Sequence, residues 1–309
     1  MPYDPSLDTA PELLARAARA VGSRPDYIQG GGGNVSIKIG AERMLVKASG
    51  VQLKTVTSGS GYVLVNYGNI RRRIAGGPGG ESGFYDFICA QALPVKDMKP
   101  ASPSIETGFH ALLNTVVIHT HSVYANILNM SAEGHALGRE IFPGAEFISY
   151  KSPGPQLCSA INDRARASGP QVFFLANHGL AAAHAGVEGA LELNERVNET
   201  IRRGLSLPPY PEVKFSAGLS AYNAARLADY GKSFMLENIL SPDQALYCGP
   251  EALDGKGELG AVNETLTALF YILDCIRALK LTPHFLTKSD VAHFAVMKSG
   301  RYSGGGKGK

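Results

Sequence analysis

Apolar and polar residues follow two different periods along this chain, and each period predicts one type of secondary structure. Between residues 10 and 21 the apolar positions recur every three or four residues, which predicts an amphipathic helix. Residues 35–39 alternate strictly and lead through a turn into an apolar segment at 44–47, which predicts a β-hairpin. Further strands are expected at 62–65, before His119 and at 172–176, with helices around 84–93, near 104–110, from about 124, at 187–203 and at 266–281. This alternation of strands and helices indicates an α/β fold with a central sheet covered by helices.

The pattern loosens between residues 67 and 103. Three consecutive arginines at 71–73 are followed by a Gly-Gly-Pro-Gly-Gly stretch at 76–80. Glycine and proline mark turns, and helical apolar spacing returns only around 84–93. We therefore expect this segment to be a surface insertion.

The composition fits a protein with one large core. Of its 309 residues 44% are apolar, which suits one large domain or one domain with an extension. The formal net charge is only +3 and no extended basic face is evident, so a nucleic-acid partner is not expected. The sequence shows no leader-like start and no run of 18 apolar residues, so we expect a cytoplasmic protein without a membrane partner. Four widely spaced cysteines disfavour a disulfide scaffold and a thiolate zinc site.

Two histidines one residue apart, His119 and His121, stand at the end of an apolar strand pattern. Side chains at i and i+2 of a strand point to the same side, so both rings can hold one metal ion. A third histidine, His178, lies in an Asn-His-Gly turn after the strand expected at 172–176. A lone His-x-His occurs in many strands by chance, but three imidazoles at strand ends indicate a divalent metal site.

Four consecutive glycines at 30–33 lead directly into a strand that begins near Asn34. Rossmann and Walker loops lead into a helix instead. Consecutive glycines let backbone amides approach an anion, and Asn34 adds a side-chain donor. Ser49 and Gly50, after the next strand, supply another hydroxyl and amide. The alternative explanation is a flexible hairpin entry that binds no ligand.

Glu106 falls in the first turn of the short helix that precedes the His119 strand. A carboxylate there stabilises a helix dipole without any catalytic duty, which is one explanation for it. Because helix and strand are consecutive, Glu106 can also reach a bound metal ion or a substrate proton beside it, where a carboxylate suits general base catalysis. His110, four residues further along, is expected to contact Glu106 on the same helical face.

Five motifs, in this order along the chain, resemble those of the class II aldolase and adducin family. They are Gly-Gly-Asn34-Val-Ser36, Ser49-Gly50, Pro103-Ser104-Ile-Glu106, His119-Thr-His121-Ser and Asn177-His178-Gly179. The resemblance spans about residues 10–205. The long segment at 68–101 is similar to the large subgroup that contains the aldolase half of bifunctional rhamnulose-phosphate aldolase and dehydrogenase proteins.

The resemblance implies roles for these positions. His119, His121 and His178 would bind Zn²⁺ or another divalent ion, and Glu106 would be the metal-proximal acid/base. The residues implied in substrate or phosphate binding are Gly33, Asn34, Ser49, Gly50 and Ser104. Family aldolases often carry two adjacent serines where this chain has Ser104 followed by Ile105, so one hydroxyl donor is missing here. Three tyrosines are candidate proton donors to the departing alkoxide: Tyr124, Tyr150 and Tyr302.

The implied reaction is retro-aldol cleavage of a sugar or sugar phosphate by a zinc-dependent lyase, through a metal-stabilised enediolate. Related family chemistry leaves other outcomes open, namely a sugar-phosphate 4-epimerase, a sugar-acid phosphate decarboxylase or a dehydratase. A hypothesis of a different class is an adducin-like binding module that keeps the fold without the chemistry. The three histidines and Glu106 favour an enzyme.

The resemblance also implies a fold and an assembly. We expect a three-layer fold in which helices cover a central, mostly antiparallel sheet. Residues 1–210 would form the catalytic domain, and residues 211–309 a helical C-terminal extension packed on the same domain. A homo-oligomer is expected, with a tetramer favoured.

Overall fold

The computed structural model describes residues 8–292 apart from 78, 81, 167, 213, 215, 216 and 258. Eight strands in this part of the chain form one sheet. They are β1 (Asn34–Ile39), β2 (Arg43–Lys47), β3 (Tyr62–Asn66), β4 (Ala92–Leu93), β5 (Val116–Thr120), β6 (Glu146–Ile148), β7 (Gln171–Leu175) and β8 (Gly179–His184). Their order across the sheet is β4-β3-β2-β1-β5-β8-β7-β6. Neighbouring strands are antiparallel except β6 and β7, which are parallel.

Helices cover both faces of this sheet. Those in the described residues are α1 (Ala10–Gly22), α2 (Tyr67–Ala75), α3 (Phe84–Ala90), α4 (Thr107–Leu112), α5 (Val123–Asn129), α6 (Gly134–Ile141), α7 (Pro155–Asn162), α8 (Val187–Gly204), α9 (Ala221–Tyr230), α10 (Lys232–Glu237), α11 (Pro242–Tyr247), α12 (Pro250–Leu253) and α13 (Leu259–Ala278), with a 3-10 helix at Leu53–Thr55. Helices α1, α5, α8 and α13 pack in one core, and α2, α3, α4 and α7 pack in the other. The expected three-layer α/β fold with a mostly antiparallel sheet is confirmed.

Strand β5 shows how one strand serves two cores. Val116 and Ile118 belong to the core on one face, while Val117 belongs to the core on the other, and all three are fully buried. Side chains alternate between faces because the strand period is two. Since both faces are covered, the polar residues Ser36 and Lys38 of β1 are also buried, although their alternation with apolar residues is typical of a half-exposed strand.

The expectation of a surface insertion at 67–103 is wrong for its helical parts. Ile70 and Ile74 of α2 and Phe84 and Ile88 of α3 are buried in the second core. Helix α2 is amphipathic, with its arginines at 71–73 exposed and its isoleucines four residues apart facing inward. The arginines gave the segment its polar composition, and they concealed the buried face.

Strands β6 and β8 were not expected from the sequence. Strand β8 has the sequence Gly-Leu-Ala-Ala-Ala-His, and alanine has a low propensity for strands. In the structure Ala181, Ala182 and Ala183 are fully buried between β5 and β7. Tertiary packing therefore decides the conformation of this segment.

Residues after 210 contribute helices to the first core. Helix α13 begins at Leu259, seven residues before the expected start at Leu266, and packs against α5. By length and composition it is the one described helix that is apolar enough to cross a membrane, but 78% of its apolar window is buried inside the fold. Packing in the core accounts for this composition. The domain boundary at residue 210 stays a prediction.

The core position of α3 predicts a difference between two of its phenylalanines. Phe84 is fully buried, whereas Phe87 is half-buried beside Arg73. Phe84→Ala is expected to lower the free energy of unfolding by about 3–5 kcal/mol because it leaves a cavity in the core. Phe87→Ala serves as the control and is expected to cost about 1 kcal/mol. Urea unfolding measures both, and equal small losses would contradict the core assignment.

Candidate metal centre and adjoining cavity

Four side chains with metal-binding atoms converge in this structure: His119, His121, His178 and Glu106. One ligand atom from each lies within 4.8 Å of those of the others. His178 Nε2 is 2.9 Å from Glu106 Oε1 and 3.3 Å from His119 Nε2. His119 Nε2 lies 3.6 Å from the same carboxylate oxygen. The fold thus brings together the three histidines and the carboxylate that the sequence singled out.

The sheet fixes the first two histidines. His119 is the penultimate residue of β5 and pairs with Asn34 of β1 on one side and Ala181 of β8 on the other. His121 follows the end of the strand, and its ring centroid is 5.0 Å from that of His119. The two rings meet edge to face on the same side of the chain, as expected for residues two apart along an extended segment.

The turn between β7 and β8 positions the third histidine. Asn177 has a left-handed backbone with φ of 53°, which asparagine tolerates better than most residues. Its side-chain amide donates to the carbonyl oxygens of Leu240 at 2.9 Å and His284 at 2.7 Å. At Gly179 a Cβ atom would lie 2.3 Å from the carbonyl oxygen of Thr120, so only glycine fits. These constraints explain the Asn-His-Gly sequence.

The Nδ1 atoms of His119 and His121 each donate a hydrogen bond to an oxygen atom of the protein. His119 Nδ1 donates to the carbonyl oxygen of Leu180 at 3.0 Å, and His121 Nδ1 donates to Asp243 Oδ2 at 2.5 Å. Each bond leaves Nε2 as the unprotonated nitrogen, which is the arrangement found around metal-binding histidines, and His121 Nε2 also accepts a hydrogen bond of 3.4 Å from the Gly33 amide. Burial lowers the pKa of His119 to about 4, so its ring is neutral at pH 7. Burial favours a neutral His121 too, but Asp243 outweighs it and raises the pKa of His121.

Glu106 lies directly before α4, and its side chain does not cap that helix. Its carboxylate contacts the rings of His119 and His178 instead, so helix capping does not explain its position. Burial alone would raise the pKa of Glu106, but the two histidines hold it well below its usual value. Glu106 is therefore a carboxylate. The expected contact with His110 is replaced by a hydrogen bond of 2.7 Å between His110 and Ser36.

This donor set fits a divalent metal ion. Imidazole nitrogens and a carboxylate oxygen are electron-pair donors, and one cation placed between these four side chains would be attracted to all of them. Zinc takes imidazole nitrogen and carboxylate oxygen ligands, and three histidines leave at least one coordination position for a substrate or water. Calcium and magnesium prefer oxygen ligands and suit this set less well.

A cavity of about 620 Å³ opens beside the four side chains. Glu106, His121 and His178 form part of its wall. Four of the five residues implied in substrate or phosphate binding also line it: Gly33, Ser49, Gly50 and Ser104. The two serine-bearing loops are joined by a hydrogen bond of 2.8 Å from the Ser49 amide to the Ser102 carbonyl oxygen. Motifs far apart in sequence therefore share one cavity.

Asn34 is the implied binding residue that does not line the cavity. It lies in β1 beside His119, is 1% exposed, and its side-chain nitrogen and oxygen have no hydrogen-bond partner among the described residues. Buried polar groups are normally paired, so this amide is available to a ligand or water. Its role in phosphate binding stays a prediction, as do those of the other four residues.

All four amides of the glycine run donate to atoms of the protein itself. The acceptors are Glu264 Oε2 for Gly30, the Tyr247 hydroxyl for Gly31, the Gln29 carbonyl for Gly32 and His121 Nε2 for Gly33, at 2.7, 3.2, 3.0 and 3.4 Å. The run is thus held by the metal centre and by helices α11 and α13. Its amides are engaged rather than open to an anion.

The tyrosines named from the sequence lie elsewhere. Tyr124 and Tyr150 do not line the cavity, and Tyr302 falls outside the described residues. Tyr85 and Tyr247 line it instead. Tyrosine is common in this chain, and no local pattern distinguishes the two that reach the cavity.

Two charged residues of the site, Asp243 and Lys47, were missed by the sequence interpretation. Asp243 is in the first turn of α11, where an acidic residue after Ser241 and Pro242 resembles an ordinary helix start. No local signal connects it with His121, which is 122 residues away. Lys47 ends an apolar strand two residues before Ser49, and this nearness to a proposed binding residue was the one signal in the sequence.

Asp243 orients His121, which predicts an effect on metal affinity. Asp243→Asn is expected to weaken zinc binding by about 10–100-fold, as for other carboxylates that hold a metal-binding histidine. Asp254→Asn is the control, because Asp254 is an exposed carboxylate of the same C-terminal segment that pairs with Lys232. Competition with a chromophoric chelator measures both affinities. Equal affinities in the two variants would show that Asp243 does not support the site.

Comparisons with known proteins agree with this architecture. Residues 12–204 match the family described as Class II Aldolase and Adducin N-terminal domain. No curated protein matches the sequence significantly. The N-terminal class II aldolase domain of a conserved protein from Thermoplasma acidophilum is 20% identical, with a TM-score of 0.56 over 66% of this chain and 96% of that chain.

Two further solved structures align over most of this chain. An aldolase II superfamily protein from Pseudomonas syringae is 15% identical, with a TM-score of 0.48 over 90% of this chain and 94% of that chain. An L-fuculose 1-phosphate aldolase from Glaciozyma antarctica PI12 is 11% identical, with a TM-score of 0.45 over 91% of this chain and 95% of that chain. The family match covers more than half of the sequence and includes all four metal-centre residues. The chain therefore belongs to the class II aldolase and adducin family.

Proposed function

We propose that this protein is a zinc-dependent lyase that cleaves a sugar or sugar phosphate by retro-aldol chemistry. The observation that carries the proposal is the convergence of His119, His121, His178 and Glu106 within 4.8 Å, at the wall of a cavity. The volume of about 620 Å³ is in the range of small-molecule sites. A binding module has no need for a carboxylate facing two imidazoles beside such a cavity.

The histidines and the carboxylate of the centre have different proposed roles in the reaction. His119, His121 and His178 would hold the metal ion, which supplies a Lewis acid for the negative charge that develops on the substrate oxygen. Glu106, as a carboxylate, accepts a proton from the substrate hydroxyl when the carbon-carbon bond breaks. It then returns that proton to the substrate carbon whose bond to the departing aldehyde has broken. Buried walls around the centre exclude water and strengthen these electrostatic contacts.

The proposal also covers the residues that bind the substrate, the oligomeric state of the protein and its location in the cell. Gly33, Asn34, Ser49, Gly50 and Ser104 are the proposed contacts to the substrate or its phosphate. A homotetramer in the cytoplasm remains the expected form of the protein. Light scattering on the purified protein measures the assembly.

Metal content tests the centre directly. Purified wild-type protein is expected to hold close to one zinc ion per chain by inductively coupled plasma mass spectrometry. The His119→Ala, His121→Ala double variant is expected to lose it, because two of three imidazole ligands are gone. His184→Ala is the control, since His184 ends β8 far from the cluster and accepts a hydrogen bond from the Gly186 amide.

Each outcome of this measurement has a consequence. Zinc lost only in the double variant supports the centre and justifies a substrate screen for released aldehyde. Carbon dioxide, an epimer or a dehydrated product in that screen would replace the lyase with a decarboxylase, an epimerase or a dehydratase. A folded wild type that binds no metal when zinc is supplied would favour the adducin-like binding module.

Glu106→Gln separates proton transfer from metal binding. The amide keeps the shape of the side chain but cannot accept a proton, so kcat is expected to fall by about 10²–10⁴-fold while zinc stays bound. Glu188→Gln is the control, because Glu188 is an exposed carboxylate of α8. Steady-state kinetics and metal content are measured on both variants. Unchanged kcat would remove Glu106 from the mechanism, and loss of zinc would make it a ligand instead.

A further inference from the structure

A second and much smaller cavity adjoins the candidate metal centre. Its volume is about 20 Å³, and one water molecule needs roughly 10–15 Å³. Ala268, Leu269 and Ile272 of α13 form an apolar part of its wall, whereas His178 and Thr265 are polar. A space of this size is too small for a sugar, but it suits a single buried water.

Two polar atoms of this wall have no hydrogen-bond partner among the described residues. They are His178 Nδ1 and Thr265 Oγ1. His178 is 4% exposed and Thr265 is 3% exposed, so bulk solvent does not satisfy either atom. Buried polar groups almost always have a partner, and a water held between two such atoms is the usual solution when no protein group is in reach.

The other two histidines of the centre show what His178 needs. The Nδ1 atoms of His119 and His121 each donate to an oxygen atom of the protein. A histidine that binds a metal through Nε2 carries its proton on Nδ1, and this N–H normally donates to a carboxylate, a backbone carbonyl or water. His178 Nε2 faces Glu106 and His119, so Nδ1 is the atom that still requires an acceptor.

We propose that a buried water in the small cavity accepts a hydrogen bond from His178 Nδ1 and is held by the Thr265 hydroxyl. Thr265 is then a positioning residue, because it fixes the ring of a metal-binding histidine through the water. A hydroxyl can donate to the water or accept from it. Asp243 also lines the cavity, and its carboxylate can accept the second hydrogen of the water. This inference rests on the metal centre of the proposed function.

The water would connect the metal centre with a part of the chain outside the family match. Thr265 lies in α13, whereas the match covers residues 12–204. Asp243 of α11, which supports His121, also lies beyond that match. The rings of two of the three histidines would thus be oriented from the C-terminal part of the chain. Metal affinity is then a property of the whole chain rather than of the matched domain.

Two substitutions of one residue test the proposal in the full-length protein. Thr265→Val keeps the shape of the side chain but removes the hydroxyl, and it is expected to weaken zinc binding about tenfold, as when other outer partners of metal-binding histidines are lost. Thr265→Ser keeps the hydroxyl and is expected to bind zinc within about twofold of wild type. Competition with a chromophoric chelator measures each affinity.

Thr267→Val is the matched control. Thr267 is also buried in α13, but its hydroxyl lies 2.7 Å from the Asn263 carbonyl oxygen and 3.1 Å from Asn223 Oδ1, and it does not line the small cavity. Its loss is expected to lower the urea midpoint while zinc affinity changes by less than about twofold. A general loss of stability would instead weaken zinc binding in both valine variants.

A crystal structure of the zinc-loaded wild type observes the water directly. A water within about 3.2 Å of both His178 Nδ1 and Thr265 Oγ1 is expected, and Thr265→Val is expected to displace it. Unchanged zinc affinity in Thr265→Val would overturn the proposal. So would a direct hydrogen bond between the two side chains, or a dry cavity at a resolution that shows other buried waters.

Zinc content distinguishes failure of this inference from failure of the proposed function. If wild type binds no zinc, the proposed lyase fails, whereas a crystal structure of the zinc-free protein still shows whether a water joins His178 to Thr265. If zinc is bound and its affinity does not depend on the Thr265 hydroxyl, the lyase stands and the positioning role of Thr265 fails.

Discussion

The pairing of β5 between β1 and β8 is the interaction on which the rest of the site depends. It places His119 beside Asn34 on one side and beside Ala181 on the other, at the centre of an eight-stranded sheet. Backbone hydrogen bonds on both edges and cores on both faces leave this strand little freedom. A metal centre needs ligands held within a few tenths of an ångström, and a central strand provides that precision better than a surface loop.

Local patterns predicted much of the fold, and long-range packing decided the remainder. The first helix, the hairpin and α8 are close to their expected bounds because their apolar periods are regular. Strand β8 was missed since its alanines are strand-forming only between β5 and β7. Helix α2 was missed because exposed arginines outnumber its buried isoleucines. In β8 the surrounding structure, rather than intrinsic propensity, sets the conformation, whereas α2 has an amphipathic pattern that its polar composition obscured.

Residues of the candidate site likewise fall into those that a local sequence pattern predicted and those that only long-range contacts bring to the site. His119 and His121 were identified because side chains two residues apart on a strand point to the same side of the sheet. His178 was identified because it lies in a polar turn that follows a strand. Asp243 escaped notice since its contact with His121 spans 122 positions and leaves no periodic trace. Lys47 was passed over because a lysine at a strand end is usually exposed, whereas this one is buried and donates to the carbonyl oxygens of Gly31 and Val51.

The hydrogen bonds from Asn177 to the carbonyls of Leu240 and His284 have a consequence for biosynthesis. A ribosome releases the chain from its N-terminus, so β5 and the β7–β8 turn emerge long before these acceptors do. The turn that carries His178 lacks both bonds until residue 240 is synthesised, and it lacks one of them until residue 284 is synthesised. The turn of the candidate metal centre therefore gains its full set of bonds only after every strand of the sheet has been synthesised.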